Sequence, residues 1–320
     1  MPVLWILFGI LCAVILAVLA ILAICFKMAF FVPHHGPVAP DEYPIPDGDI
    51  YEPYRDTMVT WMKQVREMGP EELSIVSYDG LTLHGKYYEF APGAPIELMM
   101  HGYRGQAERD LCGGVLRCFA LGHSALIIDQ RACGASDGHV ITFGIKESRD
   151  CLSWVEFMRC YFGEDVRIIL TGISMGASTV LMAAGQELPE QVIAVLADCG
   201  YSTPKAIIQE VIQGMGLPVK ASYPFVRWSA KLFGGFDIES NDPIQAAKQC
   251  KVPVILFHGE SDDFVPCRMS KEIYDALPGH KKLVTIPGAG HGLSYVVAPE
   301  RYIEEASVFF GPIENKETVG

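Results

Sequence analysis

Arg167-Ile168-Ile169-Leu170-Thr171-Gly172-Ile173-Ser174-Met175-Gly176 decides the reading of this chain. An apolar, β-type run from Arg167 to Thr171 leads into Gly172-Ile173-Ser174-Met175-Gly176, and a small-residue helical pattern follows from Ala177 to Gln186. A G-x-S-x-G match alone is common by chance; between a strand and a helix it carries weight. The turn has to be tight, so the flanking positions cannot hold bulky side chains, and glycine tolerates the unusual backbone angles. Such a turn presents the Ser174 hydroxyl above a sheet, at a helix N-terminus that favours developing negative charge. The plainer alternative is an ordinary β-α turn with a capping serine.

Strands and helices alternate from Leu73 onward. Ser74 to Tyr78 and Leu81 to Phe90 flank Asp79-Gly80, a hairpin signal. Further strand-like runs are Ile96 to Met100, Ala125 to Ile128, Val192 to Ala197, Val252 to Phe257 and Lys282 to Ile286, with a helical pattern at Lys146 to Phe162. A hairpin followed by β-α alternation predicts a mostly parallel sheet with helices on both faces. Cys199 to Cys250 is too long for a plain crossover. It has apolar helical stretches around Ala206 to Met215 and Phe225 to Phe233, and is expected to form a lid over the carboxyl ends of the strands, where ligands bind in open α/β sheets.

A serine hydroxyl needs a base to become a nucleophile. His291 lies in Gly288-Ala289-Gly290-His291-Gly292 after the last predicted strand, free to reach the sheet edge. His101 and His258, each before a glycine at a strand end, suit structural turn contacts. His34 and His35 lie in a linker, and His84, His123, His139 and His280 lack a comparable setting. The imidazole in turn needs a carboxylate on its far nitrogen. Glu260, Asp262 and Asp263 all follow the strand Val252 to Phe257, and spacing alone leaves the three open; the order Ser, acid, His is the one this kind of sheet uses. A tetrahedral intermediate also needs two backbone N–H donors. Met175, next to the nucleophile, is expected to supply one, and Tyr103 in His101-Gly102-Tyr103-Arg104-Gly105 the other.

These motifs resemble the α/β-hydrolase superfamily, in particular serine hydrolases of the BEM46 and S33-aminopeptidase-like branch. The resemblance runs from about Glu72 to Pro312. It rests on HGYRG at His101, GISMG at Gly172, HGESDDFVP at His258 and GAGHG at Gly288, with the D-x-R-x-x-G-x-S loop from Asp129 to Ser136. It implies an α/β-hydrolase fold, a mainly structural role for the Asp129 loop, and the catalytic acid at Asp262. It also implies substrates among esters, thioesters, lipids and small peptides. HGYRG differs from the HGGG loop of some lipases, which speaks against that subgroup.

Val3 to Phe26 is an unbroken apolar run of about 24 residues, beyond the roughly 20 needed to span a bilayer. It is longer than a signal-peptide core, and no Lys or Arg precedes it. The expectation is an uncleaved, single-pass N-terminal transmembrane helix in the cell membrane; Lys27 and the α-amino group do not fix its orientation. The resemblance is to membrane-anchored hydrolases common in Gram-positive bacteria. The domains expected are an anchor over residues 1–31, a Pro-rich linker with a short helix (Tyr54 to Met68) over 32–71, and a hydrolase domain over 72–320 with its lid at about 199–250.

The formal net charge is -13 across 320 residues, which repels phosphate backbones and argues against nucleic-acid binding. The 10 cysteines show no C-x-x-C pair and no zinc spacing, so buried free thiols are expected and no metal or organic cofactor is called for. The function expected is a serine hydrolase that cleaves an ester, thioester or related acyl bond through an acyl-enzyme. The partners expected are a small or lipid-like acyl substrate and the membrane. A proline-type aminopeptidase is the alternative within enzymes; it would need a lid carboxylate such as Glu210, Asp237 or Glu239. A non-catalytic, membrane-tethered binding protein is the alternative outside them.

Overall fold

A computed structural model of the protein describes residues 2–33 and 36–314; His34 and His35 therefore lie outside the described residues. Eight strands form one sheet in the order β1-β2-β4-β3-β5-β6-β7-β8. They are β1 Glu71–Val76, β2 Thr82–Tyr88, β3 Ile96–Met100, β4 Ser124–Ile128, β5 Ile168–Ile173, β6 Val192–Asp198, β7 Val254–Gly259 and β8 Lys281–Ile286. β1 pairs antiparallel with β2 around Gly80, and β2 antiparallel with β4; β4, β3, β5, β6, β7 and β8 run parallel. β3, β4 and β7 are buried at every residue, which is why their sequences are mostly apolar without alternation; Glu97, buried in β3, pairs with Arg117 and His123.

Helices cover both faces. α3 (Ala107–Leu121) and α11 (Pro299–Glu314) touch each other on one side. α4 (Glu147–Phe162), α5 (Met175–Ala184), α8 (Pro243–Ala247) and α9 (Arg268–Ala276) form a chain of contacts on the other. α2 (Arg55–Glu67) packs on α3 through the buried Met62 and Val65. α6 (Pro204–Gly214), α7 (Val219–Ser229) and a π-turn at Ala230–Gly234 form the insertion after β6. α10 (Ser294–Val297) follows His291. All ten cysteines are among the described residues and all are free thiols.

α1 (Pro2–Ala29) is a single 28-residue helix, long and apolar enough to cross a membrane. Its junction differs from the expected boundary at residue 31. Leu22 is buried, Cys25, Phe26 and Ala29 are half-buried, and Phe30 and Val32 are buried. This spacing of three to four residues puts one stripe of the last two turns against α7 and the π-turn. Phe30 joins Phe143 and Phe236 in the core, and Phe31 bridges to Val140. The apolar run hid this stripe, because a uniformly hydrophobic helix has no polar side to betray which face packs.

Residues 36–53 are not a free tether either. Arg66 donates to the carbonyls of Pro40 and Ala39, Gln106 donates to that of Gly36, and Ile45 is buried. The segment lies along the hydrolase domain because it has backbone acceptors and apolar side chains to satisfy there. Its Pro content made it read as a spacer.

Candidate active site

The elbow after β5 is strained where the sequence predicts. Ser174 has φ 56° and ψ -119°, a region a non-glycine residue enters only when its surroundings compel it. Its amide donates to the Asp198 carbonyl at 2.8 Å, across to the neighbouring strand. A side chain at Gly172 would collide with the Gly176 carbonyl, and one at Gly176 with the Met100 carbonyl, so both glycines are needed for close backbone approach.

Ser174, His291 and Asp262 form one hydrogen-bonded row. The Ser174 hydroxyl donates to His291 Nε2 at 2.8 Å, and His291 Nδ1–H donates to Asp262 Oδ2 at 2.7 Å. The other Asp262 oxygen accepts from the amides of Phe264 (3.0 Å) and Val265 (2.8 Å). Burial pushes the Asp262 carboxyl up, but hydrogen bonds from His258 and His291, with the charge of His291, outweigh it and hold it at about 2. The neighbouring carboxylates go elsewhere: Glu260 accepts from the Thr285 hydroxyl at 2.7 Å, and Asp263 is exposed.

His101 and His258 both make structural contacts. The His101 ring donates through Nδ1 to the Gly102 carbonyl at 2.8 Å and accepts from the Gln130 amide at 3.0 Å, bracing the loop at Gly102. His258 links Ser270 Oγ (2.7 Å) to the Val265 carbonyl (2.8 Å), with Nε2 3.3 Å from Asp262 Oδ2. It braces Asp262 from behind. The Asp129 loop is a staple: its carboxylate accepts from the amides of Ala107 and Ala135, both at 2.8–2.9 Å, while Arg131 pairs with Asp150 and Asp79.

Gly102 passes close to Ser174; a Cβ there would lie 3.5 Å from Ser174 Cβ. Tyr103 follows it, and Met175 is the first residue of α5. Among the described residues neither the Tyr103 nor the Met175 amide donates to another backbone group outside the helices and strands. Cys199, with φ 48°, brings its Sγ within 4.8 Å of ligand atoms of Asp262 and His291. Burial pushes that thiol well up, so it meets the site as a neutral, apolar group.

Ser174 opens onto two cavities. One, of about 570 Å³, is lined by His291 and by residues the sequence gave no reason to choose: Ile50, Tyr51, Met58 and Trp61 from the wrapped segment and α2, and the Arg109–Asp110 pair. The other, of about 610 Å³, lies under the insertion. Of the insertion's apolar residues, Ile207, Ile208, Val211, Ile212, Met215 and Phe225 line it, whereas Trp228 and Phe233 point out to the surface. Among the described residues Arg104 is its only charged lining residue. Glu210, Asp237 and Glu239 line neither cavity; they pair with Arg268, with Arg227 and Lys231, and with Arg227 and Lys205.

This architecture has counterparts. An esterase of Pyrococcus furiosus superposes with a TM-score of 0.63 at 21% identity, over 88% of this chain and 99% of its own, which establishes the shared α/β-hydrolase fold. YqkD of Bacillus subtilis is 26% identical over 190 residues, 59% of this chain but only 62% of YqkD. YfhR of Escherichia coli strain K12 is 25% identical over 278 residues, 85% of this chain and 86% of YfhR. Residues 142–311, just over half of the chain and including Ser174, Asp262 and His291, match the prolyl oligopeptidase family. The chain has the α/β-hydrolase fold and belongs to the prolyl oligopeptidase family.

Proposed function

We propose that the protein is a membrane-anchored serine acyl hydrolase in which Ser174 is the nucleophile, His291 the general base and Asp262 the residue that orients it. The observation that carries this reading is the continuous row from Ser174 Oγ through His291 to Asp262, at 2.8 and 2.7 Å. In this reading Ser174 Oγ attacks the substrate carbonyl carbon while its proton passes to His291 Nε2. The oxyanion is met by the Met175 and Tyr103 amides. Collapse breaks the bond to the leaving group, which takes the proton from His291. Water, deprotonated by the same nitrogen, then attacks the acyl-enzyme, releasing the acid and restoring Ser174.

The two cavities suit the two halves of an acyl substrate. The nearly uncharged one under the insertion suits the acyl chain, and the one holding Arg109 and Asp110 suits the leaving group. An ester or thioester is favoured over a peptide amine because the insertion's carboxylates are neutralised in ion pairs. Family membership keeps a peptidase as the second reading. The acid loop His258 to Pro266 supports the narrower likeness to the BEM46 and S33-aminopeptidase-like branch, and the length and apolarity of α1 support an anchor.

The test is labelling by a fluorophosphonate combined with a panel of ester, thioester and peptide substrates. Ester or thioester turnover should fall by a thousandfold or more in Ser174→Ala, with labelling lost, as triad removal does elsewhere. Activity above about a tenth of wild type in that variant would remove Ser174 from the nucleophile's role.

A further inference from the structure

The anchor helix is built into the acyl cavity. Ile21, Cys25, Met28 and Ala29 of α1 line the same 610 Å³ space as Ser174 and the insertion. Phe26 packs on Phe233 of the π-turn with ring centres 5.7 Å apart, holding α1 against the insertion. A helix serving only as a tether would have no reason to form a wall of the substrate space.

The exposed part of α1 has the length of a bilayer. From Pro2 to Ile21 the side chains are exposed, apart from the half-buried Cys12. At about 1.5 Å per residue these turns cover roughly 30 Å, the thickness of a hydrocarbon core. Burial against the insertion begins at Leu22, so the cavity starts where the hydrocarbon ends. Its rim is apolar as well as its interior: Ile21, Met28, Val211, Met215, Leu217 and Phe264 line it and are all 40% or more exposed. Beside them Trp228 and Leu232 are exposed, with the Lys231 ammonium 5.7 Å from the Trp228 ring centre. Exposed apolar surface rimmed by tryptophan and lysine, continuous with a spanning helix, is what a protein places at a membrane interface.

We propose that the cavity opens sideways to the bilayer between α1 and the insertion, and that the substrate is a membrane-resident acyl lipid whose chain slides in along Ile21, Cys25 and Met28 to reach Ser174. This rests on the reading of Ser174 as nucleophile and of α1 as anchor. The carbonyl arrives at Ser174 with its chain still near the hydrocarbon, so the lipid need not cross water to be cleaved.

One probe tests both levels separately. It is a hexadecyl fluorophosphonate with a diazirine near the chain end, incorporated with the full-length protein in phosphatidylcholine nanodiscs. Ser174 Oγ displaces fluoride at phosphorus and gives up its proton, leaving an Oγ–P bond. Light then fixes where the chain lies. Labelling should be absent in Ser174→Ala, the photo-adducts should fall on peptides covering Ile21–Ala29 and Ile207–Leu217, and labelling should be at least tenfold faster with probe preloaded in the protein's own nanodisc than with probe offered in separate nanodiscs. Labelled Ser174 with adducts at Met58 or Trp61, or with equal rates from the two sources, would overturn lateral entry while leaving the nucleophile in place. No labelling of Ser174 from either source would overturn both.

Discussion

The Tyr103 hydroxyl donates to the Ala29 carbonyl at 3.0 Å, tying the loop beside Ser174 to the last turn of α1. Arg104, at a left-handed φ of 52°, completes the tie by donating to the carbonyls of Met28 (2.9 Å) and Phe31 (3.1 Å). The final carbonyls of a helix lack intrahelical partners, and these two side chains supply them. The loop expected to carry an oxyanion donor is therefore held by α1.

Where the chain is cut should matter for this reason. Deleting residues 2–19 should leave a folded protein with near wild-type turnover of p-nitrophenyl acetate, because the docked turns from Leu22 onward remain. Deleting residues 2–31 removes the fully buried Phe30 and the acceptors of Tyr103 and Arg104. It should cost about 3 kcal/mol or more of stability, the scale of a lost buried Phe, and at least tenfold in kcat. Denaturant melts and steady-state rates on both truncations check this; equal behaviour would show that the loop does not depend on α1.

Asp262→Asn should lower kcat by about 10⁴, since an amide both holds the wrong imidazole tautomer and lacks the charge that balances the imidazolium. Asp263→Asn, at an exposed side chain, should change it less than twofold. Measuring both variants at one pH, with circular dichroism to confirm folding, distinguishes the adjacent carboxylates.

Acyl length should raise kcat/KM from acetyl to octanoyl p-nitrophenyl esters. Each methylene buried in the cavity lined by Ile207, Ile208 and Ile212 can add up to about 0.8 kcal/mol, roughly fourfold, less the cost of ordering the chain. A flat or falling series would assign that cavity to something other than an acyl chain.

His123 should give the fold an alkaline limit. Its ring lies between Glu97 (2.9 Å) and Glu314 (2.8 Å). Burial pushes the imidazole down, but the hydrogen bonds and charges of the two carboxylates prevail and raise it from 6.5 to about 9. A raised folded-state value stabilises fully below pH 6.5 and is lost as pH rises through 9. Wild type should therefore lose up to about 3 kcal/mol between those values, and His123→Gln should show a flatter profile in urea melts at pH 6, 7.5 and 9.

The centre of the sheet was legible because its strands are buried on both sides and so read as continuous apolar runs; Val254 to Phe257 is the clearest case. Gly172 and Gly176 were legible because a tight elbow leaves no choice of residue. The acid was only partly so: Glu260, Asp262 and Asp263 share one loop, and which of them faces His291 depends on the amides of Phe264 and Val265 that turn Asp262 inward. The wall from the insertion was legible in its apolar stretches, as at Ile207 and Ile212, but the other cavity walls were not. Ile50 and Trp61 reach the site through tertiary packing of a segment that reads as linker, and no local spacing records where Cys25 or Met28 will dock. His123 looked idle because its partners, Glu97 and Glu314, are far away in sequence.

With Ser174 as nucleophile, the acyl group passes through its Oγ during every turnover. Rapid-quench mass spectrometry of the full-length protein with p-nitrophenyl octanoate tests it most directly. A burst of p-nitrophenolate approaching one equivalent is expected, with an octanoyl mass added to the peptide that contains Ser174 and absent in Ser174→Ala. Steady turnover with no adduct on that peptide, undiminished in Ser174→Ala, would contradict it.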